Sequence, residues 1–510
     1  MAAPEVLSAP ALPVKNKGLL TLGIMMAMVM QILDTTIANV ALPHMRASLG
    51  ASQDEINWVL TSYIVAAAIA TPLSGWFADR IGRKNLMLGA VLGFTGASLL
   101  CGIATSLDEM VLFRVIQGIC GAVLAPLAQA TMLDINPREK MGQAMAIFGA
   151  GIMVAPIIGP TLGGYLTEAF NWRAVFLVNL PIGIIAFSML LVLMPKSGIK
   201  IRPFDFFGFA MLALCVAAIQ LLLDRGQQLG WFESMEVWIY LGLAISGFWV
   251  FVIHCLTAEH PFIDLAMFKD RNFTSGVIFI FVIGITLFSG LALLPPLLQN
   301  LMGYPVIETG IVMAPRGIGT MISMILVGRL VSKFDARLLV FTGILLTLYS
   351  LYMMTQFDIS MDSGPIVISG IVQGLGLGLV FVPLTTLAFA TIDTKYRVDA
   401  TSMFNLVRNV GSGVGISMVT TVLAQMLQVN HSELAERITL NSQTVRSALQ
   451  LGDPSQILGQ LDGLVSQQSA MIAYLDDFQL MMYVTLLSIP IIFLLRKPKV
   501  TKVDPTHISE

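Results

Sequence analysis

Charged residues are scarce in this sequence of 510 residues, and its cysteines are few. Asp, Glu, Lys and Arg make up 12% of the chain, whereas a soluble globular protein carries about 25%. The four cysteines form no CxxC pair, so neither a disulfide framework nor a thiolate metal centre is expected. With 29 basic and 31 acidic residues the formal net charge is −2, which indicates no binding surface for nucleic acid. The scarcity of charge excludes a water-soluble fold.

Motifs of soluble catalysis are also missing. The sequence has no GxxxxGKS/T phosphate loop, no HExxH zinc motif and no GxSxG nucleophile elbow, and its five histidines are scattered. We therefore expect no enzymatic activity, no cofactor and no metal site. An energy-requiring process would have to use an ion gradient, because one proton moving down about 150 mV releases about 3.5 kcal/mol.

Long apolar runs dominate instead, and 56% of the residues are hydrophobic. A helix needs about 20 apolar residues to cross a bilayer. The first run is too long for a signal peptide and contains Asp34, so we interpret it as a span. The sequence predicts an all-α integral membrane protein with fourteen transmembrane helices, near 18–43, 56–78, 86–105, 110–133, 141–166, 173–194, 205–224, 235–257, 273–298, 307–331, 337–357, 364–390, 398–428 and 476–495.

Basic residues are distributed unevenly between alternate loops. If the N-terminus is cytoplasmic, the inner segments contain 21 of the 29 Lys and Arg residues and the outer loops contain five. Because cytoplasmic loops carry an excess of Lys and Arg, we expect both termini in the cytoplasm. One outer loop, 429–475, is much longer than the others. It is either a tolerated surface insertion or an amphipathic hairpin that docks a partner.

Two stretches of the chain repeat at an offset of about 255 residues. GWFADRIGRK, from Gly75 to Lys84, is matched by GRLVSKFDAR at 328–337, and Gln117-Gly118 is matched by Gln373-Gly374. Six-helix repeats with a site at their interface are typical of secondary transporters that rock. We therefore expect a cytoplasmic tail at 1–17, an N-terminal six-helix bundle at 18–194, a linker with two inserted helices at 195–257, a C-terminal six-helix bundle at 258–495 and a cytoplasmic tail at 496–510.

Three motifs resemble those of a known transporter family. The loop from Gly75 to Lys84 is similar to the signature loop of the major facilitator superfamily, and GIMVAPIIGPTLGG at 151–164 resembles its antiporter motif. LDTTIANVALP at 33–43 resembles the span-1 signature of the fourteen-span drug:proton antiporters of the EmrB/QacA type. The resemblance extends from span 1 to span 14. It implies the major facilitator superfamily fold, with two six-helix bundles and two inserted helices.

The resemblance also implies a function. Members of this family are proton-coupled multidrug exporters of the cell inner membrane, associated with antibiotic resistance, and they export hydrophobic or amphipathic drugs and toxicants by alternating access. EmrB-like members dock a periplasmic membrane-fusion adaptor and an outer-membrane channel, and the loop 429–475 is the expected contact. Two rival functions stay open: uptake of a specific metabolite by proton symport, and a membrane-embedded sensor or scaffold without transport.

Asp34 and Arg114 are the candidate proton-coupling residues. A charged side chain inside a span costs about 2.5–3.5 kcal/mol on insertion scales, so a functional role is the default hypothesis. An arginine that pairs with a buried acid favours its ionised form, and separation of the pair would let the acid take up a proton. The alternative is a fixed structural salt bridge.

Several further polar residues within the spans are candidates for lining a substrate cavity. Gln31 shares a helix face with Asp34, and Gln117 shares one with Arg114. Arg316 lies between Pro315 and a glycine, a sequence that tends to break a helix. Each arginine could bind an anionic substrate group or neutralise a buried carboxylate. The cavity candidates are Gln31, Gln117, Arg316, Asn405 and Arg408.

The two remaining motifs are expected to act through conformation. The signature loop combines an acid, two glycines and basic residues, which suits a latch between two conformations; basic residues alone would follow from the positive-inside rule. Small residues at every fourth position of span 5 allow helices to touch, and the resemblance implies a seal against proton leak. The latch residues are Gly75, Asp79, Arg80, Gly82 and Arg83, and the antiporter-motif residues are Gly151, Pro156, Gly159, Pro160, Gly163 and Gly164.

Overall fold

The computed structural model describes residues 12–137, 140–199, 202–331, 333–437 and 454–495. Within these ranges the secondary structure is helical and includes no strand. Thirteen helices are long and apolar enough to cross a membrane, and a bent pair of shorter helices supplies one further span. The all-α fold with fourteen transmembrane helices is therefore confirmed.

The spans are labelled α1 to α14 in chain order. The two segments of α2 are bent by 60° next to Pro72, which lacks the N–H that a continuous helix would use. The bounds of the spans are Lys17–Leu49 (α1), Trp58–Ala70 with Leu73–Ile81 (α2), Arg83–Ile103 (α3), Leu107–Asp134 (α4), Met141–Ala169 (α5), Ala174–Leu193 (α6), Phe206–Arg225 (α7), Met235–Thr257 (α8), Arg271–Leu301 (α9), Val306–Leu330 (α10), Ala336–Met354 (α11), Ser363–Ala390 (α12), Thr394–Glu436 (α13) and Gln456–Leu494 (α14).

Helix pairing follows the sequence repeat. In the N-terminal half (α1–α6), α1 packs against α5 and α6, while α4 packs against α2 and α3. In the C-terminal half (α9–α14), α9 packs against α13 and α14, while α12 packs against α10 and α11. Corresponding helices thus make corresponding contacts. The exact limits of the two bundles stay a prediction.

The inserted helices α7 and α8 pack against each other and contact both halves. α7 lies against α2 of the N-terminal half and α13 of the C-terminal half. Thr61 on α2 donates a hydrogen bond to Asp224 at the end of α7. Trp231, which follows α7, donates from its indole Nε1 to Thr421 Oγ1 on α13 at 3.0 Å. The inserted pair therefore bridges the two halves on one side of the bundle.

The region predicted as a long outer loop is mostly an extension of two helices. The described residues 429–437 continue α13, and the described residues 454–475 belong to α14. His431 Nε2 lies 3.2 Å from Asp462 Oδ1, and Asn430 Nδ2 donates to Asp476 Oδ2 at 3.4 Å. The placement of this segment outside the membrane stays a prediction. Its helical structure was not evident from the hydropathy scan because the side chains are largely polar. Residues 438–453 lie outside the described part of the chain.

The two halves are in close contact at one end of the bundle. This is the end where α1 begins and α14 ends, and it is called the terminal end below. Asn405 Nδ2 on α13 donates to Gln129 Oε1 on α4 at 2.9 Å, and Thr401 Oγ1 donates to the carbonyl of Pro126 at 3.1 Å. These buried hydrogen bonds join α4 to α13 across the boundary between the halves.

Candidate functional site

A buried ion pair lies inside the N-terminal half. Arg114 Nη1 on α4 donates to Asp34 Oδ2 on α1 at 2.6 Å, and both side chains are fully buried. Two ionised groups held in hydrocarbon are tolerated when they are paired and hydrogen-bonded. Sequence analysis expected both residues to face the interior, and the structure brings them into direct contact.

Two amides complete the surroundings of the Asp34 carboxylate. Gln117 Nε2 and Asn179 Nδ2 donate to Asp34 Oδ1 at 2.9 and 2.8 Å. The Asn179 amide also donates to Ser98 Oγ at 2.9 Å. Sequence analysis missed Asn179 and Ser98. The available signal was a lone amide and a hydroxyl within apolar spans, but nothing in the sequence shows which polar residues of different helices meet.

Arg114 is held on several sides. Its Nε donates to the carbonyl of Val59 on α2 at 2.9 Å, and its Nη1 also donates to Gln117 Oε1 at 2.8 Å. The guanidinium carbon lies 4.4 Å from the ring centroid of Tyr63, a cation–π distance. Nη2 has no hydrogen-bond partner within the described ranges. Arg114 therefore links α1, α2 and α4 through a single charged group.

A protonation change at Asp34 would alter this whole network. The ionised carboxylate accepts three hydrogen bonds from side chains, one of them from a cation. The protonated acid would lose the charge that holds Arg114, and a buried ion pair broken on one side costs about 3–5 kcal/mol. The arrangement can thus convert proton binding into a rearrangement of α1, α2 and α4.

The C-terminal half holds a small cavity with a mostly apolar lining and a few polar groups. Its volume is about 40 Å³, which is room for water molecules but not for a drug-sized compound. Arg316 on α10 and Gln373 on α12 line it, and Gln373 is the repeat partner of Gln117. The other polar lining residues are Thr286, Thr347, Thr485 and Ser488.

Arg316 differs from Arg114 in its partners. Its Nη2 donates to the carbonyl of Leu287 on α9 at 3.3 Å, whereas its Nη1 has no partner in the described part of the chain. The Oε1 atom of Gln373 is also buried without a partner there. Arg316 is 7% exposed, so a buried charged donor lines a mostly apolar cavity that has no carboxylate among its described lining residues.

The other cavity candidates lie elsewhere. Gln31 is half-buried beside Tyr63, near the ion pair of the N-terminal half. Asn405 is buried in the hydrogen bond to Gln129 that joins the two halves. Arg408 is half-buried on α13, and its Nη2 donates to Asn409 Oδ1 at 3.3 Å. The structure thus brings together Asp34, Arg114 and Gln117, but it does not gather the five cavity candidates around one space.

The signature loop lies at the terminal end, against the C-terminal half. A Cβ atom on Gly75 would overlap the carboxylate of Asp399 on α13, so a larger residue would push the helices apart. Gly82 has φ +81°, a backbone conformation that favours glycine. Asp79 lies 3.5 Å from Arg202 Nε, and the Arg80 side chain is exposed.

A charge network surrounds this loop. Asp134, at the end of α4, forms ion pairs with Arg83 of the same half and with Arg397 of the other half. Arg202, in the segment before α7, donates to both carboxylate oxygens of Asp399 at 3.1 Å. Sequence analysis missed the four residues that form this network with the loop, because their pairing depends on contacts between different helices and, for Arg397 and Asp399, on how the two halves meet. The missed residues are Asp134, Arg202, Arg397 and Asp399.

The antiporter motif places α5 between α1 and α10. A Cβ atom on Gly163 would lie 3.2 Å from the Cα of Ile37, and one on Gly159 would overlap Thr36, so α5 touches the backbone of α1. A Cβ atom on Gly151 would overlap Met25 of α1. A Cβ atom on Gly164 would lie 3.5 Å from Cγ1 of Val306 on α10, an ordinary contact distance. Pro156 and Pro160 lie half-buried in the same stretch.

Metal ligation finds no support in these side chains. No group of three or more His, Cys, Asp or Glu side chains that could hold a metal ion occurs among the described residues. The four cysteines are free thiols.

Comparison with known proteins agrees with this architecture. The family model of the Major Facilitator Superfamily matches residues 24–416. Fatty acid resistance protein FarB of Neisseria gonorrhoeae is 36% identical over 497 residues, which cover 95% of this chain and 98% of that protein. Multidrug export protein EmrB of Escherichia coli (strain K12) is 35% identical over 457 residues, which cover 88% of this chain and 89% of that protein.

A solved structure shares the fold. The crystal structure of the human organic anion transporter MFSD10 (TETRAN) aligns with a TM-score of 0.59 over 92% of this chain and 99% of that chain, at 13% sequence identity. Together with the family model and the relatives above 30% identity, this likeness agrees with the three sequence motifs. The chain belongs to the Major Facilitator Superfamily, and within that superfamily it is related to EmrB, as the span-1 motif indicated.

Proposed function

We propose that this protein exports hydrophobic or amphipathic compounds in exchange for protons, by alternating access. The observation that carries the proposal is the fully buried pair of Asp34 and Arg114. A charged pair at such depth in a membrane protein is a functional hypothesis by default. The names of two relatives, a multidrug export protein and a fatty acid resistance protein, support efflux of apolar and amphipathic compounds.

In this proposal Asp34 is the proton carrier and Arg114 is its counter-ion. When the site opens to the outer side, protonation of Asp34 releases Arg114. When the site opens to the cytoplasm, the proton leaves and the ion pair forms again. One proton moving down about 150 mV provides about 3.5 kcal/mol, comparable to the cost of breaking a buried pair.

Substrate recognition is proposed for the polar residues inside the bundle. Arg316 offers a free charged donor in an otherwise largely apolar interior, which suits the polar head of an amphipathic compound. Gln31 and Gln117 would contact substrate near the proton carrier, whereas Asn405 and Arg408 would become accessible when the terminal end opens. Because the cavity is small in this conformation, drug binding requires that the halves move apart.

The signature loop and the antiporter motif have separate proposed roles. The ion pairs of Asp79, Arg83 and their partners hold the terminal end closed, and they would break and re-form in each cycle. The glycine face of α5 keeps α1 in close contact, which limits space for a water chain beside Asp34. Both roles depend on the same rocking motion of the two halves.

The cellular setting is part of the same proposal. We propose that the protein spans the inner membrane with both termini in the cytoplasm, so that the terminal end is the cytoplasmic end. The helical extension formed by α13 and α14 would then project outwards, where a periplasmic adaptor of an outer-membrane channel could dock. The asymmetric distribution of Lys and Arg supports this orientation.

Everted membrane vesicles provide the test. With an imposed proton gradient, the wild type should accumulate ethidium and dissipate the gradient, and Asp34→Asn should do neither. Asp358→Asn, which changes an exposed acid of an outer loop, is the matched control and should behave like the wild type. Equal activity of Asp34→Asn and the wild type would remove Asp34 from the coupling path. Gradient-driven movement in the opposite direction would indicate uptake by symport.

A further inference from the structure

A second acid is buried inside the bundle without a partner. Asp477 lies on α14, its side chain is fully buried, and neither carboxylate oxygen has a hydrogen-bond partner in the described part of the chain. Asp34, by comparison, accepts hydrogen bonds from three side chains. Asp34 and Asp477 therefore have opposite surroundings.

The residues around Asp477 are apolar. The neighbouring part of α14 belongs to a buried cluster that also includes residues of α9, α11 and α13. An ionised carboxylate without a partner in such a place is costly, whereas a neutral carboxylic acid loses much less on leaving water. The cluster members from these helices are Leu293, Leu294, Leu297, Leu351, Met354, Val419, Met471, Tyr474, Phe478 and Met481.

Two titratable groups lie beside Asp477. Tyr474 and Asp476 are on its own helix, and the amide of Asn430 on α13 donates to Asp476 at 3.4 Å. Arg316 on α10 faces Gly290 of α9, where a Cβ atom would lie 3.4 Å from Arg316 Nη1 and 3.6 Å from the Cε of Met481. The cluster residues of α9, α11 and α13 are apolar.

No hydrogen bond or ion pair joins Arg316 to Asp477 among the described residues. A rearrangement of the halves that admits water to Asp477 would let the proton leave, because an ionised carboxylate is costly only while it is shielded from water.

We propose that Asp477 is a second proton-binding site of the transport cycle. The proton occupies one carboxyl oxygen in the conformation described here. It leaves when the halves rearrange and water reaches the carboxyl group. The inference rests on the proposed proton-coupled export, and it raises the number of protons exchanged per cycle from one to two.

Infrared spectroscopy tests whether Asp477 holds a proton. A protonated carboxyl gives a C=O stretching band that an ionised carboxylate lacks. In the purified wild type this band should be present and should lose intensity reversibly as the pH is raised. Asp477→Asn should remove it, and Asp476→Asn, which changes the neighbouring acid, should not. Should Asp477→Asn not fold, Asp477→Glu should keep the band at a shifted frequency.

Vesicle transport tests whether that proton moves in the cycle. At a fixed ethidium ratio, the pH gradient that stops net ethidium flux is measured at several membrane potentials. Exchange of two protons for one ethidium cation moves net charge, so for the wild type and for Asp476→Asn this pH gradient should shift with the membrane potential. Exchange of one proton moves no net charge, so for Asp477→Asn it should not shift. The variant should retain transport because Asp34 is intact.

Each possible result decides between the proposals. A carboxyl band that persists in Asp477→Asn, or that does not respond to pH in the wild type, overturns the second site. A lost band with an unchanged proton number also overturns it, because Asp477 would then be a static neutral acid. A wild type without gradient-driven ethidium flux contradicts the proposed export function instead, and the infrared titration still reports on Asp477.

Discussion

The two halves of the molecule share helix pairing but differ in how they hold charge. In the N-terminal half, Asp34 and Arg114 are in contact and are surrounded by donors and acceptors. In the C-terminal half, Arg316 and Asp477 are both buried, and each has polar atoms without a partner among the described residues. A repeat can therefore preserve the scaffold while one half holds a buried ion pair and the other holds two ionisable groups that are not paired.

This difference suits a transporter that alternates between states. An acid that is paired with an arginine resists protonation until the arginine leaves, whereas an isolated buried acid is most stable with a proton bound. The acid of the N-terminal half would then be without a proton while the acid of the C-terminal half holds one. The following variants are arranged to break or sharpen that contrast, beginning with the largest expected effect.

Substitution of the buried arginine in each half should give the largest difference in stability between the two halves. Arg114→Gln leaves the buried carboxylate of Asp34 without its counter-ion, which should cost about 3–5 kcal/mol of stability. Arg316→Gln removes a cation that has no described acid partner, so we expect it to be neutral or stabilising. Thermal unfolding of both variants in the same detergent measures the contrast. Equal destabilisation by the two substitutions would mean that Arg316 has a partner of comparable strength.

Matched glycines should show where the two halves are alike. Gly118 and Gly374 follow the repeated glutamines, and a Cβ atom on either would collide with backbone atoms of the adjacent helix. Alanine at either position should destabilise the protein by about 1–3 kcal/mol, because backbone cannot yield as a side chain can. Gly89→Ala, where nothing lies within 4 Å, is the control and should be neutral or slightly stabilising. A harmless Gly118→Ala alone would show that α2 and α4 are packed less tightly than α10 and α12.

Loss of the Asn179 amide should destabilise the pair of Asp34 and Arg114 less than loss of the arginine does. Asn179→Ala removes one of the two amide donors to Asp34 Oδ1, and the loss of one hydrogen bond to a buried charged group costs about 1.5–3 kcal/mol. Arg114 and Gln117 still donate to the carboxylate, so proton-coupled ethidium transport in vesicles should persist at a reduced rate. A transport rate equal to that of the wild type would separate Asn179 from the proton carrier.

Sequence predicted much of the scaffold and part of the site. Apolar runs marked the fourteen spans, and a charged residue within a span marked Asp34 and Arg114 as interior. Asn179 escaped because helical periodicity describes one helix at a time and does not show which polar groups of different helices meet. Asp477 escaped for another reason. The hydropathy scan began span 14 at residue 476, so the acid looked like the polar edge of a span, whereas α14 begins at Gln456 and carries it into the interior.

The smallest effect on stability is expected at the contact between the halves. Arg202 pairs with Asp79 of the N-terminal half and Asp399 of the C-terminal half, and its side chain is 31% exposed. Arg202→Gln should change stability by less than about 1 kcal/mol, because partly exposed ion pairs contribute little. It should nevertheless shift the balance of conformations, since the pairs exist when the terminal end is closed.

Accessibility of a cysteine introduced at the terminal end measures that shift. In a background with the four native cysteines replaced, Asn405→Cys should react faster with a membrane-impermeant thiol reagent when Arg202→Gln is also present. Lys15→Gln, a change of one basic residue outside this network, is the control and should leave the rate unchanged. A reaction rate unaffected by Arg202→Gln would show that the buried pair of Asp134 with Arg397 keeps the halves together without help from the linker.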